Sequence, residues 1–236
     1  MFFFLPLLFL FNFDASAVDA NHPKWLKLLH YRKTPLGNWK SEADGKDFFI
    51  HPEGRTNPRA ELDAALASFG QTKTPSDDHP ICKFPLRFKW LNKELNYPWK
   101  DVNLLGCEKY VQFFSKMAAQ RAHIVFSSYY LSNPNSAFGH TLLRLSRFEN
   151  EGETELLDYG INFAADANTA NPLTYALYGL TGGFKGKFSA IPYYYKIREY
   201  SDAEFRDLWS YELKLTQTQV LELVDHIWEL GSTYFD

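Results

Sequence analysis

The spacing of apolar residues predicts two structural blocks in the chain. The first, residues 21–107, is interrupted by prolines, and its apolar positions predict helices and irregular extended segments. The predicted elements are a helix over 25–33, a helix over 57–69, a loop over 70–80 and extended segments over 81–99. The second helix has the clearest start, because Asn57 can cap a helix and Pro58 suits its first turn.

The second block begins near Glu108, and its domain is predicted to cover residues 115–236. The predicted elements are helices over 108–120, 173–178, 203–209 and 220–230, and strands over 122–130, 140–148, 156–163, 184–197 and 211–215. A connection that contains Gly152 joins the second and third strands, which predicts an antiparallel hairpin. Capping boxes at Ser201 and Thr216 predict the starts of the last two helices. This order of elements predicts an α+β fold in which helices pack on an antiparallel sheet.

Residues 1–17 have the pattern of a secretory signal peptide. A short apolar run over 2–11 is followed by Ala15-Ser16-Ala17, which predicts cleavage after Ala17. A membrane span needs roughly 20 apolar residues, and this run is shorter. The alternative is that the segment forms a buried strand of the fold. The pattern therefore predicts an exported, periplasmic protein, with association with the outer membrane as a further expectation.

Composition and charge narrow the class of partner. With 45% hydrophobic and 22% charged residues the 236-residue chain has the composition of a folded globular protein. A net charge of -3 and scattered Lys and Arg residues exclude nucleic acid as a partner. The aromatic content of 17% suits either ordinary core packing or a surface that meets lipid or glycan.

Only two cysteines occur, Cys82 and Cys107. In an exported chain an even number of cysteines favours a disulfide. A bridge between them would close a loop of about 25 residues and stabilise the fold by roughly 3 kcal/mol. The alternatives are two unpaired buried thiols or a catalytic thiol, although neither cysteine has a neighbouring histidine in a nucleophile motif.

His140 is the histidine that the pattern singles out for chemistry. It follows a turn, has Gly139 before it, and enters a predicted strand, so its imidazole could lie at the mouth of a cleft. A structural histidine is the alternative. A metal ligand is disfavoured because no other His, Cys or carboxylate lies at ligand spacing nearby, and no cofactor is predicted.

A catalytic histidine needs a partner that orients its ring. The predicted hairpin places His140 opposite Ile161 or Asn162, so Asn162 is the candidate orienter. Asp158 is the other polar residue of that strand, but it lies roughly 13 Å further along at strand rise. Asn162 could equally be an amide at a strand end that bonds to backbone.

A pocket is predicted around His140, because residues 127–141 offer amides and hydroxyls to a substrate. None of the serines near His140 has the Gly-x-Ser-x-Gly context that exposes a serine nucleophile. The candidate pocket residues are Ser127, Ser128, Asn135, Ser136, Gly139, Thr141 and Tyr159.

Two stretches carry a family resemblance. Residues 126–144, with the core Phe138-Gly139-His140-Thr141, and residues 158–163, Asp-Tyr-Gly-Ile-Asn-Phe, resemble the Lnb N-terminal periplasmic domain family over roughly 115–236. The block before it, with residues 25–31 and Phe84-Pro85-Leu86-Arg87, resembles the region that precedes this domain in long exported members.

The resemblance implies a fold and an activity. It implies a circularly permuted papain-like (NlpC/P60-like) thiol fold in which the histidine precedes the cysteine, and acyl transfer to the amino termini of lipoproteins. In such members an Asn-Cys motif follows the last helix, so the nucleophile is expected beyond Asp236. Cys82 and Cys107 do not correspond to it in position.

These observations predict an exported lipid-processing or acyl-transfer enzyme of the Cys/His type, with His140 as general base and Asn162 as its orienter. A phospholipid or lipoprotein is the expected substrate, and a membrane surface is an expected partner. One alternative is a thiol hydrolase of peptidoglycan peptides. The other is a binding module at the outer membrane without catalysis. The sequence predicts no oligomeric state.

Overall fold

The computed structural model of the chain describes residues 18–129, 139–147, 155–166, 169, 171–199 and 207–235. The predicted signal peptide, the candidate pocket residues Asn135 and Ser136, and the predicted turn at Gly152 lie outside the described residues. The same is true of residues 201–206, which contain the start of the helix predicted over 203–209.

The first block is mainly helical. Its elements are α1 (Pro23–Leu28), β1 (Tyr31–Lys33), β2 (Trp39–Ser41), α2 (Pro58–Phe69), α3 (Pro80–Lys83) and α4 (Pro85–Glu94). The predicted start of α2 is confirmed, since the Asn57 side chain accepts a hydrogen bond from the amide of Ala60 at 3.0 Å. Helix α1 is shorter than predicted, because His30 has a positive φ of 55° and the chain then enters β1.

The prediction of extended segments over 81–99 was wrong, because most of this stretch is helical. Pro80 and Pro85 occupy the first turns of α3 and α4, where the missing amide proton of proline is not needed. The apolar residues of α4 recur at helical spacing and are buried, among them Leu86 and Leu91. Prolines that punctuate a sequence can therefore start helices as well as interrupt them.

The second block is a five-stranded antiparallel sheet with helices packed on it, which confirms the predicted α+β class. Its elements are α5 (Glu108–Met117), β3 (Arg121–Ser127), β4 (His140–Ser146), β5 (Tyr159–Ala165), α6 (Pro172–Thr181), β6 (Gly186–Pro192), α7 (Tyr193–Ile197), β7 (Leu208–Glu212) and α8 (Gln217–Leu230). The strand order is β6-β5-β4-β3-β7, and the neighbouring strands are antiparallel.

Two of the predicted elements in this block are corrected. The strand predicted over 184–197 ends at Pro192, and Tyr193 begins helix α7 with its ring buried against the sheet. The helix predicted over 203–209 cannot extend through its last residues, because Leu208 begins β7, which pairs with β3. Pairing with the sheet edge outweighs a local helix signal, since the strand gains a ladder of hydrogen bonds.

Helices cover both faces of the sheet. On one face Val220, Val224 and Ile227 of α8 pack against Ala122, Leu145 and Ile161 of the strands. On the other face Tyr193 of α7 packs against Val125 and Leu142. Helix α8 begins with the predicted capping box, in which the side chains of Thr216 and Gln219 cap each other's backbone amides.

The predicted disulfide is confirmed. Cys82 at the end of α3 and Cys107 before α5 are bonded, with their Cα atoms 5.2 Å apart, and both are buried. The indole of Trp228 in α8 donates a hydrogen bond to the carbonyl of Cys82 at 2.8 Å. The bridge therefore links α3 to the start of α5, the Trp228 hydrogen bond attaches α8 to α3, and both cysteines of the chain are used.

A buried ion network ties α4 to α8. The Arg87 guanidinium lies 3.2 Å from a Glu229 oxygen and 3.4 Å from a Glu61 oxygen, and it donates to the Phe48 carbonyl at 2.8 Å. Glu229 also accepts hydrogen bonds from the backbone amides of Leu86 and Arg87. Burial raises the pKa of Glu229 to about 7, while Arg87 opposes that shift. The network fixes α8, the helix beneath the sheet, to the first block.

His30 and His226 form a second contact between the first block and α8. Their Nε2 atoms are 3.1 Å apart and their rings are stacked. Burial, His30, Arg87 and Lys24 lower the pKa of His226 to about 3, and burial lowers the pKa of His30. Both rings are therefore neutral at pH 7, and one donates its Nε2 proton to the other.

The His30–His226 contact predicts a loss of stability in acid. The pKa of His226 is lower in the folded chain than its ordinary value of 6.5. Its stabilising contribution is thus complete above pH 6.5 and decreases as the pH falls from 6.5 towards about 3. Urea unfolding of wild type and His226→Asn over this range should show the stability difference between them shrinking on acidification. A difference that is constant with pH would contradict the assignment.

Candidate functional site

His140 and Asn162 lie in direct contact at one end of the sheet. The His140 Nε2 atom is 2.5 Å from Asn162 Oδ1, and both side chains are partly exposed. A carbonyl oxygen can only accept, so the ring nitrogen donates, and the proton of a neutral ring lies on Nε2. The basic nitrogen of that ring is then Nδ1. This is a ring held by an amide, with one nitrogen able to take up a proton.

The strand register explains this contact and corrects the predicted one. His140 pairs with Ser127 of β3, and Leu143 pairs with Ile161 of β5. Continuing the second ladder places Leu142, and not His140, opposite Asn162. His140 and Asn162 are therefore diagonal neighbours on one face, since alternate residues of a strand share a face. Before β5 the chain forms a short 3-10 turn at Glu155–Leu157.

Asp158, the alternative partner of His140, has a different role. Its carboxylate accepts hydrogen bonds from the Ser146 hydroxyl at 2.8 Å and the Arg147 amide at 3.2 Å. It also lies 3.5 Å from Nε of Arg144, and both of these charged side chains are buried. Arg144 and Asp158 thus form an ion pair that joins β4 to β5 at the other end of the hairpin.

The two serines at the end of β3 hold neighbouring segments. The buried Ser127 donates a hydrogen bond to the carbonyl of His140 at 3.3 Å. Ser128 pairs with Asp207, accepting from its amide at 3.1 Å and donating its own amide to the Asp207 carbonyl at 3.0 Å. Ser127 therefore positions the backbone of His140, and Ser128 anchors the start of β7.

Gly139 is required by the backbone that enters β4. It has a φ of +88°, and a Cβ atom there would lie 2.6 Å from the carbonyl oxygen of Ser127 and 2.8 Å from the Phe126 ring. Both observations restrict the position to glycine. Gly139 thus allows the chain to approach β3 closely just before His140.

Thr141 and Tyr159 do not join this site. Thr141 pairs with Phe126, and Tyr159 pairs with Leu145. Alternation along β4 and β5 places both side chains on the face that packs on α8, opposite to His140. Ser189 of β6 lies beside Asn162 instead. Its hydroxyl donates a hydrogen bond to the backbone carbonyl of Asn162 at 3.5 Å. No local pattern in the sequence marks Ser189, because its position depends on the β5–β6 register.

The site contains no metal centre within the described ranges. No group of three or more His, Cys, Asp and Glu residues there is placed to bind a metal ion. Within the same ranges no helix is both long and apolar enough to cross a bilayer.

A family model described as the Lnb N-terminal periplasmic domain matches residues 109–236, which is more than half of the chain. The chain belongs to this family. A second model, a domain of unknown function (DUF7843), matches residues 20–94. No curated protein and no solved structure is significantly similar to the chain. The family match covers His140 and Asn162, and it confirms the resemblance and the assignment to a periplasmic family. The predicted signal peptide is not tested by it.

Proposed function

We propose that His140 and Asn162 are the base and the orienting amide of a thiol acyl-transfer site that acts on lipid or lipoprotein substrates in the periplasm. The observation that carries the proposal is the 2.5 Å contact between His140 Nε2 and Asn162 Oδ1, made by two partly exposed side chains. The contact lies inside the region that matches the periplasmic family.

The ring orientation suits nucleophilic catalysis by a thiol. Asn162 holds the Nε2 proton, so Nδ1 can accept the proton of a thiol and produce a thiolate. The thiolate attacks an acyl ester and forms a thioester, and the departing alcohol takes the proton from the imidazolium. An amine or water then attacks the thioester, which releases the acyl product and restores the thiol. The expected contribution of such a base is about 10²- to 10⁴-fold in rate.

The nucleophile of this proposal is not one of the two cysteines of the chain. Cys82 and Cys107 are bonded to each other and buried in the region of α3 and α5. The proposal therefore requires a thiol from outside these 236 residues. In a circularly permuted papain-like fold, the strand that carries the histidine precedes the nucleophile in sequence. The five-stranded antiparallel sheet is compatible with this fold.

The second candidate is a binding module without turnover. It is favoured by the disulfide, because both cysteines of the chain are bonded to each other and neither can serve as the nucleophile. A thiol hydrolase of peptidoglycan peptides would use the same His140–Asn162 chemistry on a different acyl group.

In the test, the protein at its full natural length is incubated with a phospholipid that carries a labelled acyl chain. A parallel sample is incubated with a labelled peptidoglycan peptide. We expect wild type to acquire label from the phospholipid as a thioester that hydroxylamine removes. His140→Ala should acquire label at least about 10²-fold more slowly. His51→Ala is the matched control, because His51 is also partly exposed but lies in the first block, and it should label like wild type.

Each other result decides against the proposal. Label from the peptide alone would support the hydrolase, and no label from either substrate would support the binding module. Equal labelling of wild type and His140→Ala would exclude His140 as the base.

A further inference from the structure

Helix α6 is an exposed apolar element that the site chemistry does not use. The stretch from Ala167 to Phe184 contains no charged residue, and Asp166 and Lys185 bracket it. Within it Leu173, Leu177 and Leu180 are 79%, 56% and 88% exposed. Large apolar side chains grouped in this way on a surface indicate a contact with another apolar phase.

The helix is a folded element of defined ends. Asn171 caps its start by accepting hydrogen bonds from two backbone amides, and Gly182 ends it with a φ of +72°. The rings of Tyr175 and Tyr178 lie 5.4 and 5.6 Å from that of Phe184, which brings the helix against the chain that returns to β6. The exposed leucines are therefore presented on a formed helix.

The distribution of apolar residues favours lipid over a protein as the occupant. A helix that packs on a protein has one apolar stripe and a polar face. Each described side chain of α6 is partly or fully exposed. The helix contains no charged residue, and its aliphatic hydroxyl groups belong to two threonines. Protein interfaces also carry a polar rim, which this helix does not provide. An element without a charged face is suited to be surrounded by acyl chains.

Size and charge fit insertion into one leaflet. A ten-residue helix is about 15 Å long, roughly half of the 30 Å hydrocarbon core of a bilayer. Lys185 and Lys187 follow the stretch at the base of the helix, where anionic headgroups would lie, and Lys187 is paired with Asp166 at 2.6 Å.

The position of α6 relates it to the candidate site. It connects the end of β5 to the start of β6, where Ala165 pairs with Gly186. Because β5 is antiparallel to β4, this is the end of the sheet at which His140 begins β4. Insertion of α6 would therefore bring that end of the sheet to the membrane surface.

We propose that α6 is a membrane-docking helix that inserts into one leaflet and places the His140 end of the sheet at the lipid surface. The inference stands on the composition, exposure and position of α6. Docking is measured without turnover, so its failure is distinguishable from a failure of the acyl-transfer proposal.

The first test is a local probe of insertion in the full chain. Leu180→Cys can be labelled selectively with an environment-sensitive fluorophore once any cysteine outside these 236 residues is replaced by serine, because Cys82 and Cys107 are bonded to each other. With vesicles of phosphatidylethanolamine and phosphatidylglycerol we expect emission at shorter wavelength and quenching by lipids that carry a quencher in the acyl chain. Leu36→Cys is the matched control, since Leu36 is also 88% exposed but lies in the first block. Its label should remain in water.

The second test is the partition coefficient onto the same vesicles. Leu180→Glu should lower it by at least about tenfold, and Leu36→Glu should leave it unchanged. A label at Leu180→Cys that stays in water with vesicles present overturns the proposal. A wild type that does not bind vesicles but forms oligomers that Leu180→Glu dissociates also overturns it, and assigns α6 to self-association.

Discussion

Replacing Arg87 with methionine is expected to lower the free energy of unfolding by about 3–5 kcal/mol. The Arg87 side chain is fully buried between the carboxylates of Glu61 and Glu229 and lies 4.2 and 4.0 Å from the ring centres of Phe48 and Phe84. Its removal leaves two carboxylates without their cation in a region of low dielectric constant, which costs more than the ion pairs themselves contribute.

Arg59→Met is the control for the Arg87 prediction. Arg59 also pairs with a carboxylate, that of Asp63 at 3.0 Å, but both side chains are about half exposed. Such a surface pair is worth about 0.2–1 kcal/mol. Urea denaturation of both variants measures the difference. Equal losses for Arg59→Met and Arg87→Met would mean that the buried network does not hold α4 to α8.

Replacing His140 with alanine is expected to lower acyl transfer by at least about 10²-fold and to change the melting temperature by no more than about 4 °C. The side chain is partly exposed and contacts the side chain of Asn162, so its removal opens no sealed cavity. The rate of labelled acyl transfer and the thermal unfolding curve are measured on the same preparation. A large fall in melting temperature would indicate a structural histidine, and an unchanged rate would exclude a base.

The polarity pattern was enough to predict the sheet and most of its helices. Strands β3, β4 and β5 appear near their predicted positions, because each is a run of apolar or alternating residues of strand length. Helix α8 was predicted from Thr216 and Gln219, whose capping depends only on residues within one turn. Signals of this kind depend only on residues that are close to one another in the sequence.

The predictions of secondary structure failed where an element depends on contacts with residues far away in the sequence. Helix α4 is not predicted from sequence because prolines usually interrupt helices, whereas Pro85 occupies a first turn and the aromatic residues face a core that includes Leu230 of α8. Strand β7 was predicted three residues too late, over 211–215, and its first residues were assigned to a helix, because its partner, β3, lies about 80 residues earlier in the chain. Neither partner is visible in a local window of sequence.

The candidate site was predicted only in part, because it also depends on contacts between strands that are far apart in the sequence. The glycine before His140 and the asparagine on the next strand were identified from sequence, and the structure places that asparagine in contact with the ring. The register was wrong, yet both residues still share a face, because the face of a strand residue depends only on alternation. Ser189 required the β5–β6 register, which the sequence pattern alone does not specify.

If His140 and Asn162 act as one unit, a double-mutant cycle of these two residues reveals the coupling between them. The rate of acyl transfer is measured for wild type, His140→Ala, Asn162→Ala and the double variant, all at full natural length. We expect Asn162→Ala to lower the rate by about tenfold or more, and the double variant to be no slower than His140→Ala alone, since an orienting amide has no effect without its ring. Losses that multiply in the double variant, or an Asn162→Ala rate equal to that of wild type, would contradict it.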